Sequence, residues 1–168
     1  MTADEMQTIK REVTHSCERY LKDYVAALWE NYRHDTPIDY EKLGFWQFPV
    51  LYVAGLADRE GSLVTICGRE EFDGWIRKLY HGFYDQGLGV RLDLEWSEVT
   101  VISPEYAVIE TKGTRYRQDD TPFNTWGSCY WMRRVGGVWK QFGVCETDPP
   151  RPTVAQWTNW LRSFLLPS

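Results

Sequence analysis

The segment that decides the fold is NTWGSCYWMRRVGGVWKQFGVCETDPP, residues 124–150. Gly136 and Gly137 separate two runs rich in aromatic and β-branched residues, and such a pair supplies the two positive φ angles of a type I′ turn. The segment therefore predicts a β-hairpin in which Val135 pairs with Val138. In this register both faces are apolar except near the turn, whereas a sheet with one face in water would alternate apolar and polar residues. The predicted hairpin must be covered on both faces.

The register assigns each side chain of this hairpin to a face. One face carries Trp126, Ser128, Tyr130, Met132 and Arg134, opposite Trp139, Gln141, Gly143, Cys145 and Thr147. The other face carries Cys129, Trp131, Arg133, Val138, Lys140, Phe142 and Val144. Because Cys129 and Cys145 then point to opposite faces, no disulfide is expected between them.

A second hairpin is predicted immediately upstream, with its loop at Pro104 and Glu105. If Ser103 pairs with Tyr106, one face carries Leu92, Leu94, Trp96, Glu98, Thr100 and Ile102, opposite Ala107, Ile109, Thr111, Gly113 and Arg115. We assign this mostly apolar face to the interior, because the other face is more charged at its far end. Gly113 would allow the strand to bend, as a strongly curved sheet requires.

The remaining elements are three helices, two short strands and a terminal helix. Helical spacing of apolar residues predicts helices over 3–32 and 68–87, with a short one in 36–46. FPVLYVAG and SLVTICG predict two short strands, and the tail after DPPRP predicts a C-terminal helix over about 152–166. Helices segregated from a meander-like antiparallel sheet indicate the α+β class, in a single domain over 1–168.

Composition limits the classes of function. The net charge is −5 and no basic stripe occurs, which disfavours nucleic-acid binding. No apolar run reaches membrane-spanning length, and the charged N-terminus is unlike a signal segment. Four cysteines without CxxC spacing indicate buried thiols in a reducing, cytoplasmic compartment. The three histidines lack ligand spacing, so neither a metal nor a cofactor is expected.

The order of elements resembles the SnoaL-like, nuclear-transport-factor-2-like superfamily. The segments that carry the resemblance are RYLKDYVAALWEN, FPVLYV, GREEFDGWIRKLY and AVIETKGTRYRQDDTPFNTWGSCYWMRRVGGVWKQFGV, and the pattern Y-x-M-R-R-x-x-G-x-W-K is the most distinctive. The resemblance covers residues 5–147 and implies a strongly curved antiparallel sheet, wrapped around N-terminal helices as a cystatin-like cone with an internal cavity. Members include polyketide cyclases, ketosteroid-type isomerases, dehydratases, epoxide hydrolases and non-enzymatic dimeric modules, so the fold alone does not define an activity.

The resemblance also implies a homodimer, because many relatives pair through the convex face of the sheet. The predicted convex side chains Cys129, Trp131, Phe142 and Val144 would suit such a contact. The C-terminal helix is an alternative cover for the same face, or a lid.

The concave face and the helices are expected to form a pocket for a small hydrophobic ligand. The residues expected to bind it are Tyr52, Tyr84, Trp96, Thr111, Arg115, Trp126, Ser128 and Gln141. A mostly aromatic wall with few polar groups is typical of small-molecule sites.

Three residues are candidates for catalysis. Glu98 would be a general acid or base, since an apolar pocket raises the pKa of a carboxyl group. Tyr130 would donate a hydrogen bond to a developing oxyanion, and His81 is an alternative base. In the competing interpretation Glu98 forms a structural ion pair with Arg115, and His81 caps a helix or faces solvent.

Two functions remain open from the sequence. The first is a cofactor-independent isomerase, cyclase or dehydratase that uses acid–base chemistry on a hydrophobic substrate, favoured by the aromatic, Glu98-containing face. The second is a non-catalytic ligand-binding or dimerisation module of the same fold, favoured by the lack of an Asp/His signature.

Overall fold

The computed structural model describes residues 1–54, 63–89 and 91–147. The helices are α1 (Ala3–His34), α2 (Tyr40–Leu43) and α3 (Arg69–Tyr84). The strands are β1 (Trp46–Ala54), β2 (Leu63–Cys67), β3 (Arg91–Ser103), β4 (Tyr106–Tyr116), β5 (Pro122–Val135) and β6 (Val138–Thr147). Their order along the chain is the predicted one, and the helix predicted over 152–166 lies outside the described residues. No helix in the described ranges is long and apolar enough to cross a membrane.

Local signals explain where the helices begin and end. At the start of α1 the Thr2 hydroxyl accepts a hydrogen bond from the Glu5 backbone at 3.2 Å, and the Glu5 carboxylate accepts one from the Thr2 backbone at 2.6 Å. This capping box satisfies two backbone donors. Gly44 ends α2 with φ 68°, and Gly87 and Gly89 follow α3 with φ 69° and 70°. These left-handed positions favour glycine because it has no Cβ.

The strands form one curved, unclosed sheet in the order β2-β1-β6-β5-β4-β3. Neighbouring strands are antiparallel with one exception in the described sheet: β1 runs parallel to β6. The strongly curved α+β sheet is confirmed, and this parallel pair is a detail that the sequence did not predict. Helix α1 packs against β3 and α3, and the main hydrophobic core lies between the helices and the concave face.

The β5–β6 hairpin begins in the predicted register. Val135 pairs with Val138, and Gly136 and Gly137 have φ 58° and 79°. The pairing then shifts by one residue, because Phe142 is an extra residue in β6 and forms a β-bulge.

This bulge makes the predicted faces wrong for the second half of β6. Cys145 lies directly opposite Cys129, and Val144 lies opposite Tyr130 on the concave face. Cys129 and Cys145 are buried, are not joined in a disulfide, and cluster with Val108 on the convex side. A one-residue insertion turns every following side chain to the other face, and nothing in VWKQFGV marks its position.

The β3–β4 hairpin contains two such irregularities. Ser103 pairs with Tyr106 as predicted, but Ile102 and Glu95 are extra residues in β3. They reverse the faces of the segment between them. The convex face therefore carries Trp96, Glu98 and Thr100, and the concave face carries Ser97, Val99 and Val101.

Polar contacts join α1 to the turn end of the β5–β6 hairpin. The Glu12 carboxylate accepts a hydrogen bond from Trp139 Nε1 at 3.1 Å and forms an ion pair with Arg134. The Ser16 hydroxyl donates to the Trp139 carbonyl at 3.2 Å. These contacts hold the first half of α1 across one end of the concave face.

Candidate ligand-binding cavity

A cavity of about 60 Å³ lies between the concave face of the sheet and helices α1 and α3. Helix α1 contributes Tyr20, Leu21, Tyr24 and Val25 to its wall, and α3 contributes Phe72, Trp75, Ile76, Leu79 and Tyr80. The sheet contributes Trp46, Tyr52, Leu92, Arg115, Trp126, Ser128, Tyr130 and Val144. The volume is well below the roughly 150 Å³ of an apolar protein cavity that binds benzene.

Aromatic rings fill much of the space between the sheet and the helices. The Tyr20 ring meets the rings of Trp46 and Tyr130 edge-on, with centroids 5.3 Å and 6.1 Å away. Tyr52 lies against Trp75 with centroids 4.3 Å apart. Such edge-to-face and tilted contacts are favourable beyond the area they bury, so they hold the wall in a defined shape.

Arg115 is the one formally charged residue in the described part of the wall. Its guanidinium carbon lies 5.8 Å from the centroid of the Phe83 ring and 5.9 Å from that of Trp126, which is cation–π distance. The Nε atom of Arg115 and the Nε1 atom of Trp126 are both buried, and neither has a hydrogen-bond partner among the described residues.

Tyr20 and Tyr130 of the wall remain protonated at neutral pH. Burial raises the pKa of both Tyr20 and Tyr130 well above the ordinary phenol value of 10.0, and the opposing effect of Arg115 on Tyr130 is smaller. A neutral phenol donates a hydrogen bond but does not take up a proton as a general base.

Five of the predicted site residues meet in this wall: Tyr52, Arg115, Trp126, Ser128 and Tyr130. Thr111 and Gln141 are fully buried on the concave side but lie outside the wall. The Thr111 hydroxyl donates a hydrogen bond to the Ser128 carbonyl at 3.1 Å, so it braces the strand behind the cavity.

Glu98 and Trp96 do not lie in the cavity wall, which corrects their predicted placement. Glu98 is exposed and pairs across β3–β4 with Glu110 on the convex side. Because Arg115 lies on the concave side, the ion pair expected between Glu98 and Arg115 is also wrong. The physical reason is the pair of bulges in β3, which turn this segment over.

His81 and Tyr84 lie beside the cavity, at the contact between α1 and α3. His81 Nε2 is 2.9 Å from Asn31 Oδ1, and Asn31 Nδ2 donates to the Thr36 carbonyl at 2.8 Å. Tyr84 is buried with its ring centroid 4.9 Å from that of Trp29. His81 therefore joins two helices, and it does not supply a base to the cavity wall.

The sequence predicted that helices line the cavity, but the two helical residues it named, His81 and Tyr84, are not those of the wall. The lining comes from the apolar stripes of α1 and α3, since a stripe that faces a curved sheet also lines any space left there. Val144 was missed because the bulge at Phe142 moves it to the concave face.

The described cavity wall lacks several types of reactive side chain. None of its residues is an aspartate, glutamate, histidine or cysteine. Within the described ranges, no cluster of three or more such side chains is arranged to hold a metal ion.

These features agree with comparisons to known families. The family model of an NTF2-like protein (DUF6841) matches residues 11–149, so the chain belongs to this family. No curated protein sequence matches the chain significantly.

Solved structures show the same fold at low sequence identity. An NTF2-like protein with a cystatin-like fold from Novosphingobium aromaticivorans is 16% identical with a TM-score of 0.57, over 88% of this chain and 86% of that one. An NTF2-like protein of unknown function from Pseudomonas putida KT2440 is 12% identical with a TM-score of 0.58, over 85% and 88%. A proposed scytalone dehydratase from N. aromaticivorans is 11% identical with a TM-score of 0.57, over 90% and 91%. At these identities the likeness extends to the fold alone.

Proposed function

We propose that this protein binds a small molecule in the cavity between its sheet and helices, as a ligand-binding module without acid–base catalysis. The observation that carries the proposal is the composition of the wall: aromatic and aliphatic side chains surround one arginine, one serine, the tyrosine hydroxyls and three indoles. Such a mostly apolar space with a few polar groups is the usual form of a small-molecule site.

The part of this wall that the structure describes argues against an isomerase, cyclase or dehydratase that moves a proton. These reactions need a group that accepts a proton near neutral pH. The carboxylate and imidazole expected for this task, Glu98 and His81, lie on the convex face and between the helices. Tyr130 and Arg115 remain as donors that could stabilise an oxyanion, but donors without a base favour binding over proton transfer.

The proposal is tested by ligand binding to a variant in which the cavity is filled. Ile76→Phe adds volume inside the wall, while Lys78→Phe places the same ring on the exposed side of α3. Compounds from a library of small molecules should raise the Tm of the wild type and of Lys78→Phe, and should not raise that of Ile76→Phe. Circular dichroism first confirms that both variants fold, since overpacking costs about 1–3 kcal/mol. Equal shifts in all three proteins would place binding elsewhere and overturn the proposal.

The convex face supports a second proposal, that two copies of the chain associate. Three large apolar side chains are exposed there or at its turn end: Ile102 (64%), Tyr106 (39%) and Val138 (45%). Phe142, displaced by its bulge, lies with its ring centroid 6.2 Å from that of Tyr106 and extends this patch. A contiguous exposed apolar patch is typical of a contact surface.

Light scattering of the full chain tests this association. The wild type is expected to be a dimer at micromolar concentration, and Ile102→Asp is expected to be a monomer because it buries a charge in the contact. A monomeric wild type would overturn the dimer and would leave ligand binding unaffected.

A further inference from the structure

The geometry points to a short-chain carboxylate as the ligand, with its carboxylate on Arg115 and its carbon chain among the apolar side chains of the wall. This inference rests on the proposed function and specifies the chemical class of the ligand. Three independent features of the cavity carry it: an uncompensated charge, a surplus of donors, and a small volume.

The charge of Arg115 lacks a counterion in the described part of the chain. Five other arginines form ion pairs with carboxylates in the described ranges: Arg33, Arg69, Arg77, Arg91 and Arg134. Arg115 has none there, although it is half-buried and its guanidinium lies near two aromatic rings. Asp93 and Glu95, on the neighbouring strand β3, form ion pairs with Arg91 and Lys112. A partly buried cation without a partner favours the binding of an anion.

Two indoles of the wall also lack a hydrogen-bond acceptor among the described residues. Trp46 and Trp126 are 6% and 5% exposed, and neither indole Nε1 has an acceptor among the described residues. An indole N–H and a guanidinium can only donate. Burial keeps the hydroxyl of Tyr130 protonated, so it is a further donor. A carboxylate is an acceptor at both oxygens, and a guanidinium binds it through two parallel hydrogen bonds.

The volume of the cavity limits the size of the carbon chain attached to the carboxylate. A cavity of about 60 Å³ is too small for a six-membered ring without movement of the wall. Six aliphatic side chains of the wall are available to contact a short alkyl chain: Leu21, Val25, Ile76, Leu79, Leu92 and Val144. An acid of a few carbons therefore fits both the charge and the space.

The test compares propionate with its neutral isostere propionamide, titrated at constant ionic strength and followed by tryptophan fluorescence. Propionate should bind the wild type at least about tenfold more tightly, since a charged partner roughly doubles the strength of a hydrogen bond. Arg115→Met should abolish this preference. Arg117→Met removes an exposed arginine two residues away and should keep it. Should Arg115→Met fail to fold, Arg115→Lys retains the charge without the bidentate geometry, and its affinity for propionate should fall several-fold.

Each of the other possible results of this experiment would overturn one specific part of the inference. Equal affinity for propionate and propionamide, or an unchanged preference in Arg115→Met, overturns the carboxylate inference and leaves ligand binding intact. Tighter binding of inorganic phosphate than of propionate overturns the assignment of a carboxylate as the anion. If neither compound binds, and the library screen with Ile76→Phe also finds nothing, the proposed function fails as well.

Discussion

The indole of Trp126 lies over Gly113, in the space that a side chain at residue 113 would occupy. A Cβ there would be 2.7 Å from Trp126 Nε1 and 2.4 Å from the Asp93 carbonyl oxygen, both far inside van der Waals distance. Gly113 and Trp126 are direct partners across β4 and β5. The missing side chain at residue 113 therefore sets how closely Trp126 packs against the sheet, and with it the shape of the cavity wall.

Gly113→Ala should displace Trp126 and destabilise the protein. Because one of the colliding atoms belongs to the backbone, we expect a loss of about 1–3 kcal/mol in the free energy of unfolding. Chemical denaturation measures this loss, and a change in native tryptophan fluorescence reports the displacement. Gly74→Ala is the matched control, because nothing lies within 4 Å of its added Cβ and alanine favours a helix. Equal stability of Gly113→Ala and Gly74→Ala would show that the indole is elsewhere.

Glu98→Gln should leave both ligand binding and stability almost unchanged. Glu98 is exposed on the convex face, opposite a second carboxylate at Glu110. Exposed substitutions usually alter stability by less than about 0.5 kcal/mol. Titration with a ligand that shifts the wild-type Tm checks the first point. A loss of affinity would mean that Glu98 reaches the cavity, contrary to the register of β3.

The sequence was sufficient for the order and type of the elements. Gly136 and Gly137 define one turn, apolar periodicity defines α1 and α3, and the glycines after α3 end it. These signals are local: each depends on backbone preference or on spacing along a single element. For the same reason, the register next to each turn was predicted correctly at Val135–Val138 and Ser103–Tyr106.

The faces of the strands were predicted less well, because three β-bulges intervene. The bulges at Glu95, Ile102 and Phe142 depend on how each strand pairs with the next strand of the curved sheet. Glutamate, isoleucine and phenylalanine are not residue types that indicate a bulge in a sequence. The error moved Glu98 into the cavity and Val144 out of it. Arg115, Trp126 and Tyr130 were placed correctly because β4 itself has no extra residue between Ala107 and Arg115, and the shift in β5–β6 falls on the β6 side.

Gln141→Met should stabilise the protein. Gln141 is fully buried, and neither oxygen nor nitrogen of its amide has a hydrogen-bond partner among the described residues. Replacement by an apolar side chain of similar length removes two desolvated groups, so we expect a gain of about 1 kcal/mol. Denaturant titration against Gln118→Met, an exposed control, measures the effect. A loss of stability would show that the amide is engaged, and would return Gln141 to the list of candidate ligand-binding residues.

Alkaline pH should unfold the protein in a transition coupled to tyrosine ionisation. Burial raises the pKa of Tyr20, Tyr24 and Tyr130 well above 10.0, whereas the same phenols ionise near 10.0 once the chain unfolds. The stabilisation from keeping them neutral is therefore complete below pH 10 and is lost as the pH rises further. Phenolate absorbance and circular dichroism, recorded together against pH, test this coupling.

The buried phenolates should appear only as the secondary structure disappears, and both signals should share one midpoint. Tyr20→Phe removes one of the ionisable groups that favour the unfolded chain at high pH, so its transition should be less steep and should move to higher pH. If all phenolate absorbance developed while the circular dichroism stayed native, these tyrosines would be accessible to water. That result would contradict the closed aromatic interior on which the small size of the cavity depends.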